Sequence, residues 1–155
     1  MNKKITILPG DGIGKEVTAD GKKVLEKIAE LFEHSFEFDE ALIGHEAIEK
    51  TGVALPGETL TILKKSDAIL FGAVGHPKYD NDPTLKVRPE QGLLKMRKEL
   101  GLYANLRPIR LFDELLHASS IKPEILKGSD ILFFRELTGD VYFGEKGRKD
   151  EGNTA

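Results

Sequence analysis

The stretch Arg88-Pro89-Glu90-Gln91-Gly92-Leu93-Leu94-Lys95-Met96-Arg97 holds the most chemistry in this sequence. On a helix, Arg97 shares a face with Leu93, four residues before it, and Leu94, three before it. A guanidinium grips a carboxylate through two parallel hydrogen bonds while leucines enclose an alkyl group, so this face suits a small acid with a branched apolar side chain. The same spacing also describes an amphipathic core helix with Arg97 at its edge. Arg107, in Ala104-Asn105-Leu106-Arg107-Pro108, and Arg135, directly after the apolar run 131–134, each stand where a buried strand would end. Strand ends are where α/β proteins build sites. A ligand with two carboxylates needs several such cations, whereas an internal acidic partner such as Glu136 or Glu114 would make either arginine structural. Tyr142, in Gly139-Asp140-Val141-Tyr142-Phe143-Gly144, is a general acid if nearby cations lower its pKa, and otherwise a strand aromatic.

Gly10-Asp11-Gly12-Ile13-Gly14 follows a strand-like run and precedes a helical one, a place where backbone amides approach a phosphate or a ribose. Its spacing is GxGxG rather than GxGxxG, and no acidic residue closes a second strand about 20 residues later, so a dinucleotide-binding Rossmann unit does not fit. A Walker A loop fails as well, because Glu16 stands where Ser or Thr would hold the metal. A plain turn remains the alternative. His34, His45, His76 and His117 lack metal-ligand spacing, and neither HExxH nor GxSxG occurs.

The elements that must position these groups follow from periodicity. Residues 3–8 read as a strand ended by Pro9-Gly10, and Val17, Val24, Leu25, Ile28, Leu31 and Phe32 recur at helical spacing after it. Residues 35–41 alternate and read as a strand, 58–65 as a helix after Pro56-Gly57, and 68–71 as a buried strand. A long punctuated loop over 72–91 is a place to look for function. Residues 90–100 then read as a helix stopped by Gly101, with strands at 102–107, 130–136 and 140–143 and a polar arm or frayed end over 144–155. Alternating strands and helices give an α/β architecture with a mainly parallel sheet.

Composition removes several function classes. The 155 residues carry a formal net charge of −3, which offers no basic field for nonspecific nucleic-acid binding. With no Cys there is no disulfide scaffold, thiolate nucleophile or Cys-based zinc site. No apolar run approaches the roughly 20 residues of a membrane helix, and residues 5–8 are too short for a signal-peptide core, so a cytoplasmic location is expected.

LPGDGIGKEV, GAVGHPKYD, RPEQGLLKMRKELGLYANLRPIR and FFRELTGDVYFGEKGR, in this order, resemble the β-decarboxylating dehydrogenases of the isocitrate/isopropylmalate type. The resemblance implies a two-domain α/β fold with a mainly parallel sheet that is not a conventional Rossmann fold. Residues 1–101 would begin the cofactor-side domain, and 102–155 the second domain, which binds substrate and dimerises. It implies oxidation of a malate-type hydroxyl by NAD or NADP with a divalent metal, Mg²⁺ or Mn²⁺, followed by loss of the β-carboxylate. Arg97, Arg107 and Arg135 match the family's carboxylate-gripping arginines, and Tyr142 the tyrosine that assists protonation of the enol. Glu90, Leu93 and Leu94 match positions facing the nicotinamide ribose and the alkyl group, and the leucine pair favours 3-isopropylmalate, the leucine-biosynthetic substrate, over isocitrate or tartrate. Ile13, Gly75, His76, Pro77, Lys78, Tyr79, Asp80 and Glu90 are the cofactor-side expectation, although His76 and Tyr79 stand where many relatives carry Gly and Trp. The family's catalytic Lys and metal-binding Asp residues are expected beyond Ala155, with no metal ligand in this chain. The chain is therefore expected to be an N-terminal portion, inactive alone, with an open sheet edge and exposed apolar faces, from a homodimeric parent. A non-catalytic carboxylate-binding or partner module is the reading from a different class.

Overall fold

The computed structural model describes residues 1–80, 82 and 84–136. The chain divides into two compact units, Met1–Leu100 and Gly101–Ala155. The expected strand over 140–143, the polar arm over 144–155 and Tyr142 lie outside the described residues.

The first unit is a three-stranded parallel sheet with helices. Strand β1 (Asn2–Gly10) is central, pairing with β2 (Ser35–Glu40) on one side and β3 (Ala68–Ala73) on the other. Ile5, Thr6, Ile7 and Leu8 are all buried, as expected for a parallel strand covered on both faces, so β1 reads as a run rather than an alternation. β2 ends on Asp39-Glu40, farther along than a dinucleotide fingerprint requires, and Asp39 is paired with Lys4 at 2.8 Å.

Helix α1 (Gly14–Leu31) returns the chain from β1 to β2. Its inward face is made of small residues. Gly14 and Thr18 are buried and Gly21 lies against Leu70, whereas Val17, Val24, Ile28, Leu31 and Phe32 are exposed among the described residues. The cause is steric: small residues let the helix lie close to the sheet, which rotates the larger apolar residues outward. A Cβ on Gly14 would stand 2.7 Å from the Ala73 nitrogen and even closer to the Pro9 carbonyl oxygen.

Helices α2 (His45–Thr51) and α3 (Gly57–Leu63) precede β3, and α4 (Pro89–Glu99) closes the unit. Thr59 in α3 donates to the Leu42 carbonyl at 2.9 Å. Leu8, Ala41, Ile43, Leu55, Leu63 and Met96 form the core, with Leu93, Leu100, Ile69 and Phe71 packed around it. Sequence periodicity had no signal for the seven-residue α2, which is too short to show two turns of amphipathic pattern.

In the second unit, β4 (Ala104–Arg110) and β5 (Asp130–Glu136) form an antiparallel ribbon. A 3₁₀ segment (Asp113–Ala118) and the short α5 (Pro123–Leu126) lie between them. The apolar run of β5 is a strand as expected, but every residue of it is exposed among the described residues. Arg107 and Arg135 thus stand on an exposed ribbon rather than at the ends of buried strands. Among the described residues this two-stranded ribbon has no second layer to bury either face.

Replacing Gly14 by Ala is expected to destabilise the first unit by about 1–3 kcal/mol, because its new methyl meets fixed backbone rather than a movable side chain. An unchanged urea midpoint in Gly14→Ala would show that α1 and β3 can part without loss.

Candidate functional site

The chain leaves β1 toward β2 on one side and reaches β3 on the other, so a topological switch point falls between the carboxyl ends of β1 and β3. Asp11 sits there, 3% exposed. Its backbone N–H donates to the Ala73 carbonyl at 2.7 Å, and its carbonyl accepts from Gly14 at 2.9 Å. Its Oδ2 accepts from the backbone N–H groups of His45 and Gly75, each at 2.9 Å, and the Glu46 N–H points at Oδ1 from 3.4 Å.

Gly75 (φ 141°) opens the turn that carries most of the expected cofactor-side residues. The turn is a 3₁₀ segment, Pro77–Tyr79, whose Lys78 N–H donates to the His76 Nδ1 at 3.2 Å. The His76 ring stacks on His45 with centroids 3.9 Å apart. Tyr79 is turned inward, 3% exposed, with its hydroxyl 3.1 Å from the His45 Nδ1. Its side chain thus packs under the turn against α2. Lys78 is engaged with Glu49 of α2 at 2.6 Å, while Pro77 and Asp80 are exposed. Arg88 fastens the far side of the loop by donating to the carbonyls of Tyr79 and Asp82 at 2.6 and 2.9 Å.

Glu90, in the first turn of α4, is exposed, and its Oε1 stands 3.5 Å from where a Gly75 Cβ would be. The structure therefore brings Glu90 and the 75–80 turn together. Ile13, 59% exposed, caps α1 on the turn that follows Asp11. Leu93 is part of the core packing, while Leu94 and Arg97 are half-buried beside it. Glu90, Leu94 and Arg97, at i, i+4 and i+7, make one edge of α4. Leu94 thus lies one turn before Arg97 on that edge, while Leu93 is turned toward the core.

In the second unit, antiparallel register pairs Asn105 with Arg135 and Arg107 with Phe133. Cross-strand partners share a face, as do residues two apart on one strand, so Arg107 and Arg135 are diagonal neighbours on one face of the ribbon. The Arg107 Nε donates to the Asn105 side chain at 2.9 Å. Among the described residues, no group of three or more His, Cys, Asp or Glu could hold a metal ion, and no helix is long and apolar enough to cross a membrane.

The isocitrate/isopropylmalate dehydrogenase family profile matches residues 4–155. The chain belongs to that family. A protein of Rhodopirellula baltica named 3-isopropylmalate dehydrogenase is 57% identical over 98% of this chain and 42% of its own length. Another of that name, from Aquifex aeolicus, is 57% identical over 92% of this chain and 39% of its own. The chain thus spans about two fifths of the length of these curated relatives. Among solved structures, a β-decarboxylating dehydrogenase from Thermococcus kodakarensis in its apo form aligns with a TM-score of 0.62 at 31% identity, covering 86% of this chain and 33% of that one. An isocitrate dehydrogenase from Methylococcus capsulatus aligns at 0.69 and 25% identity, covering 98% and 40%. These matches establish an α/β fold of the isocitrate/isopropylmalate dehydrogenase type and a dehydrogenase ancestry.

Asp11, His45, Glu49 and Arg88 were not singled out by sequence reasoning. For Asp11 a signal existed, an acidic residue between two glycines directly after a buried strand. For His45 and Glu49 there was none, because both act from a helix too short to be legible.

The Glu49 carboxyl is held below its ordinary value of 4.5 by the hydrogen bond and the charge of Lys78, and Lys78 is raised above its ordinary 10.5 by the same partner. A depressed carboxyl adds stability that is fully present above its ordinary value and is lost as pH falls through the lowered one. A raised amine adds stability that is lost only as pH rises past 10.5. The stability difference between the native chain and Glu49→Gln is thus expected to be present above about pH 5, to shrink as pH falls below 4.5, and to fall with added salt. Unfolding midpoints measured across that range check it, and a difference that persists unchanged to pH 2 would exclude the pair as its source.

Proposed function

We propose that these residues are part of an NAD-dependent oxidative decarboxylase that acts on 3-isopropylmalate in leucine biosynthesis. The observation that carries this reading is the edge of α4, where a carboxylate, a branched alkyl and a guanidinium follow one another beside the Gly75 turn. The two relatives at 57% identity, each named 3-isopropylmalate dehydrogenase, support it.

The residues present fit a nicotinamide dinucleotide. Glu90 offers an exposed acceptor for ribose hydroxyls, Gly75 leaves its side of the turn open, and Ile13 presents an exposed apolar surface at a strand end. When bound, NAD supplies the hydride acceptor for oxidation of the substrate hydroxyl. His76, Pro77 and Asp80 line the turn, while Lys78 and Tyr79 hold it on α2. The described residues do not fit a divalent metal, and Mg²⁺ or Mn²⁺ would require donors from elsewhere in a family-length protein.

On the substrate side, Leu94 with Leu93 behind it receives the isopropyl group, and an apolar wall there disfavours the extra carboxylate of isocitrate. Arg97, Arg107 and Arg135 bind the carboxylates, since a guanidinium offers the planar fork that a carboxylate matches. Tyr142 donates a proton to the enol left when the β-carboxylate departs. Residues 1–101 belong to the cofactor-side domain and 102–155 to the substrate and dimerisation domain of a cytoplasmic homodimer.

A chain of the relatives' full length carrying these residues is expected to reduce NAD with 3-isopropylmalate and Mg²⁺ or Mn²⁺, and the 155-residue chain alone to show no turnover. Preferential turnover of isocitrate or tartrate would refute the substrate assignment. Arg107→Lys is expected to lower kcat/KM by about 10- to 100-fold, because the ammonium keeps the charge but loses the fork. Near-native kinetics in that variant would remove Arg107 from the site.

A further inference from the structure

Asp11 is a buried ionisable group to which the proposed chemistry gives no task. Every polar group it carries is nevertheless committed, and the partners come from three separate segments: the turn after β1, the start of α2 and the turn after β3. Helix α2 has no cap of its own. Its N-cap is Gly44, which lacks a side chain, and a Cβ there would press on the Asp11 carboxylate, 2.9 Å from its Cγ. Asp11 supplies the missing acceptor from 34 residues away.

Gly75 is in the complementary position. β3 ends at Ala73, so the Gly75 amide has left the ladder, and its donor is met by the same Oδ2 that receives His45. One oxygen thus joins the first residue of α2 to the first residue of the cofactor-side turn. An ionised carboxylate accepts only, so it meets three converging N–H groups without conflict. The ring stack of His76 on His45 repeats the connection one residue later.

We infer that Asp11 is a positioning residue for the cofactor: its carboxylate ties the Gly75 turn to the start of α2 and so fixes where the backbone from Gly75 to Asp80 stands beside Glu90. This rests on the reading of that turn as the nicotinamide side. Without the carboxylate, the part-buried amides of His45 and Gly75 lose their acceptor, and the turn moves to find water or another partner.

The test uses a family-length protein carrying these residues, with NADH as the probe. Asp11→Ala is expected to raise the NADH Kd and the KM for NAD about tenfold or more, with the KM for 3-isopropylmalate within twofold, and to accelerate hydrogen exchange at the Gly75 amide at least tenfold. Asp11→Asn keeps one carbonyl oxygen that can receive both His45 and Gly75, as a neutral and weaker acceptor. It is expected to fall between, with about a threefold rise in Kd. Thr59→Ala, which removes the bond to the Leu42 carbonyl away from the turn, controls for loss of stability and should leave NADH affinity unchanged. Affinity within twofold of native in Asp11→Ala, or an equal loss in Thr59→Ala, overturns the inference. If Asp11→Ala does not fold, Asp11→Asn decides, and native affinity with native Gly75 exchange overturns it. If the unsubstituted protein fails to bind NADH, the cofactor reading itself falls, and the inference with it; native binding with indifferent Asp11 variants overturns the inference alone.

Discussion

The first unit depends on a close approach of backbone to backbone at the carboxyl ends of β1 and β3. Gly14 begins α1 against the Pro9 carbonyl and the Ala73 amide, and Gly72 faces Gly14 from β3, its would-be Cβ 2.9 Å from the Gly14 Cα. Only residues without side chains allow the helix to start there. That approach orients α1 with its small residues inward, sets β3 beside β1, and leaves Asp11 enclosed where the two strands diverge. A one-methyl change at this junction displaces an entire element, because rigid main chain cannot repack as side chains do.

The glycine-rich motif therefore has two tasks that a phosphate-loop comparison would merge. Its third glycine serves helix-on-sheet packing, which is also one of the roles glycine has in dinucleotide folds. Its first, Gly10, has φ 69° and turns the chain toward the site. Between them, Asp11 makes the turn an acceptor rather than a donor. A turn that offers a buried carboxylate to neighbouring amides has organised its own backbone, so a ligand on this side meets a preformed surface. Preformation lowers the ordering cost of binding.

Local patterns made most strands legible. Residues 3–8, 35–41, 68–71 and 130–136 each coincide with a strand, since β-rich runs punctuated by Gly and Pro leave little competition. Burial was less legible. Helical spacing in α1 identified the helix but not its inner face, because periodicity weighs Val17, Val24 and Ile28 above Gly14 and Gly21, whereas close packing reverses that order. The run 131–134 indicated a strand but not that its residues are exposed among the described residues. The candidate site shows the same division. Its motif positions, Glu90, Leu94, Arg97 and the 75–80 turn, were visible as residues of the right type. Tyr79 turned inward, and the supporting contacts of Asp11, His45 and Arg88 reach across 6 to 64 residues, beyond the two- to four-residue spacings that local patterns report.

Helix α4 joins the anchoring of the fold to the chemistry proposed for it. Pro89, Gly92 and Met96 are buried, Leu93 packs against the core, and Gly92 is so close to the Ala54 backbone that a Cβ there would collide with it, so one face is fixed against sliding and rotation. The adjoining edge carries Glu90, Leu94 and Arg97, spread along the axis by about 10 Å at roughly 1.5 Å per residue. Hydride transfer requires the nicotinamide and the substrate carbon that bears the hydroxyl to be held close to the productive distance. On the proposed reading, one rigid helix holds the ribose acceptor at one end, the alkyl wall in the middle and the carboxylate clamp at the other, so the cofactor and the substrate are measured against the same rod. A loop bearing the same three side chains would supply identical functional groups without that common reference, and their spacing would fluctuate by more than the transfer tolerates. The tight seating of α4 is thus a requirement of the proposed chemistry as well as of the fold.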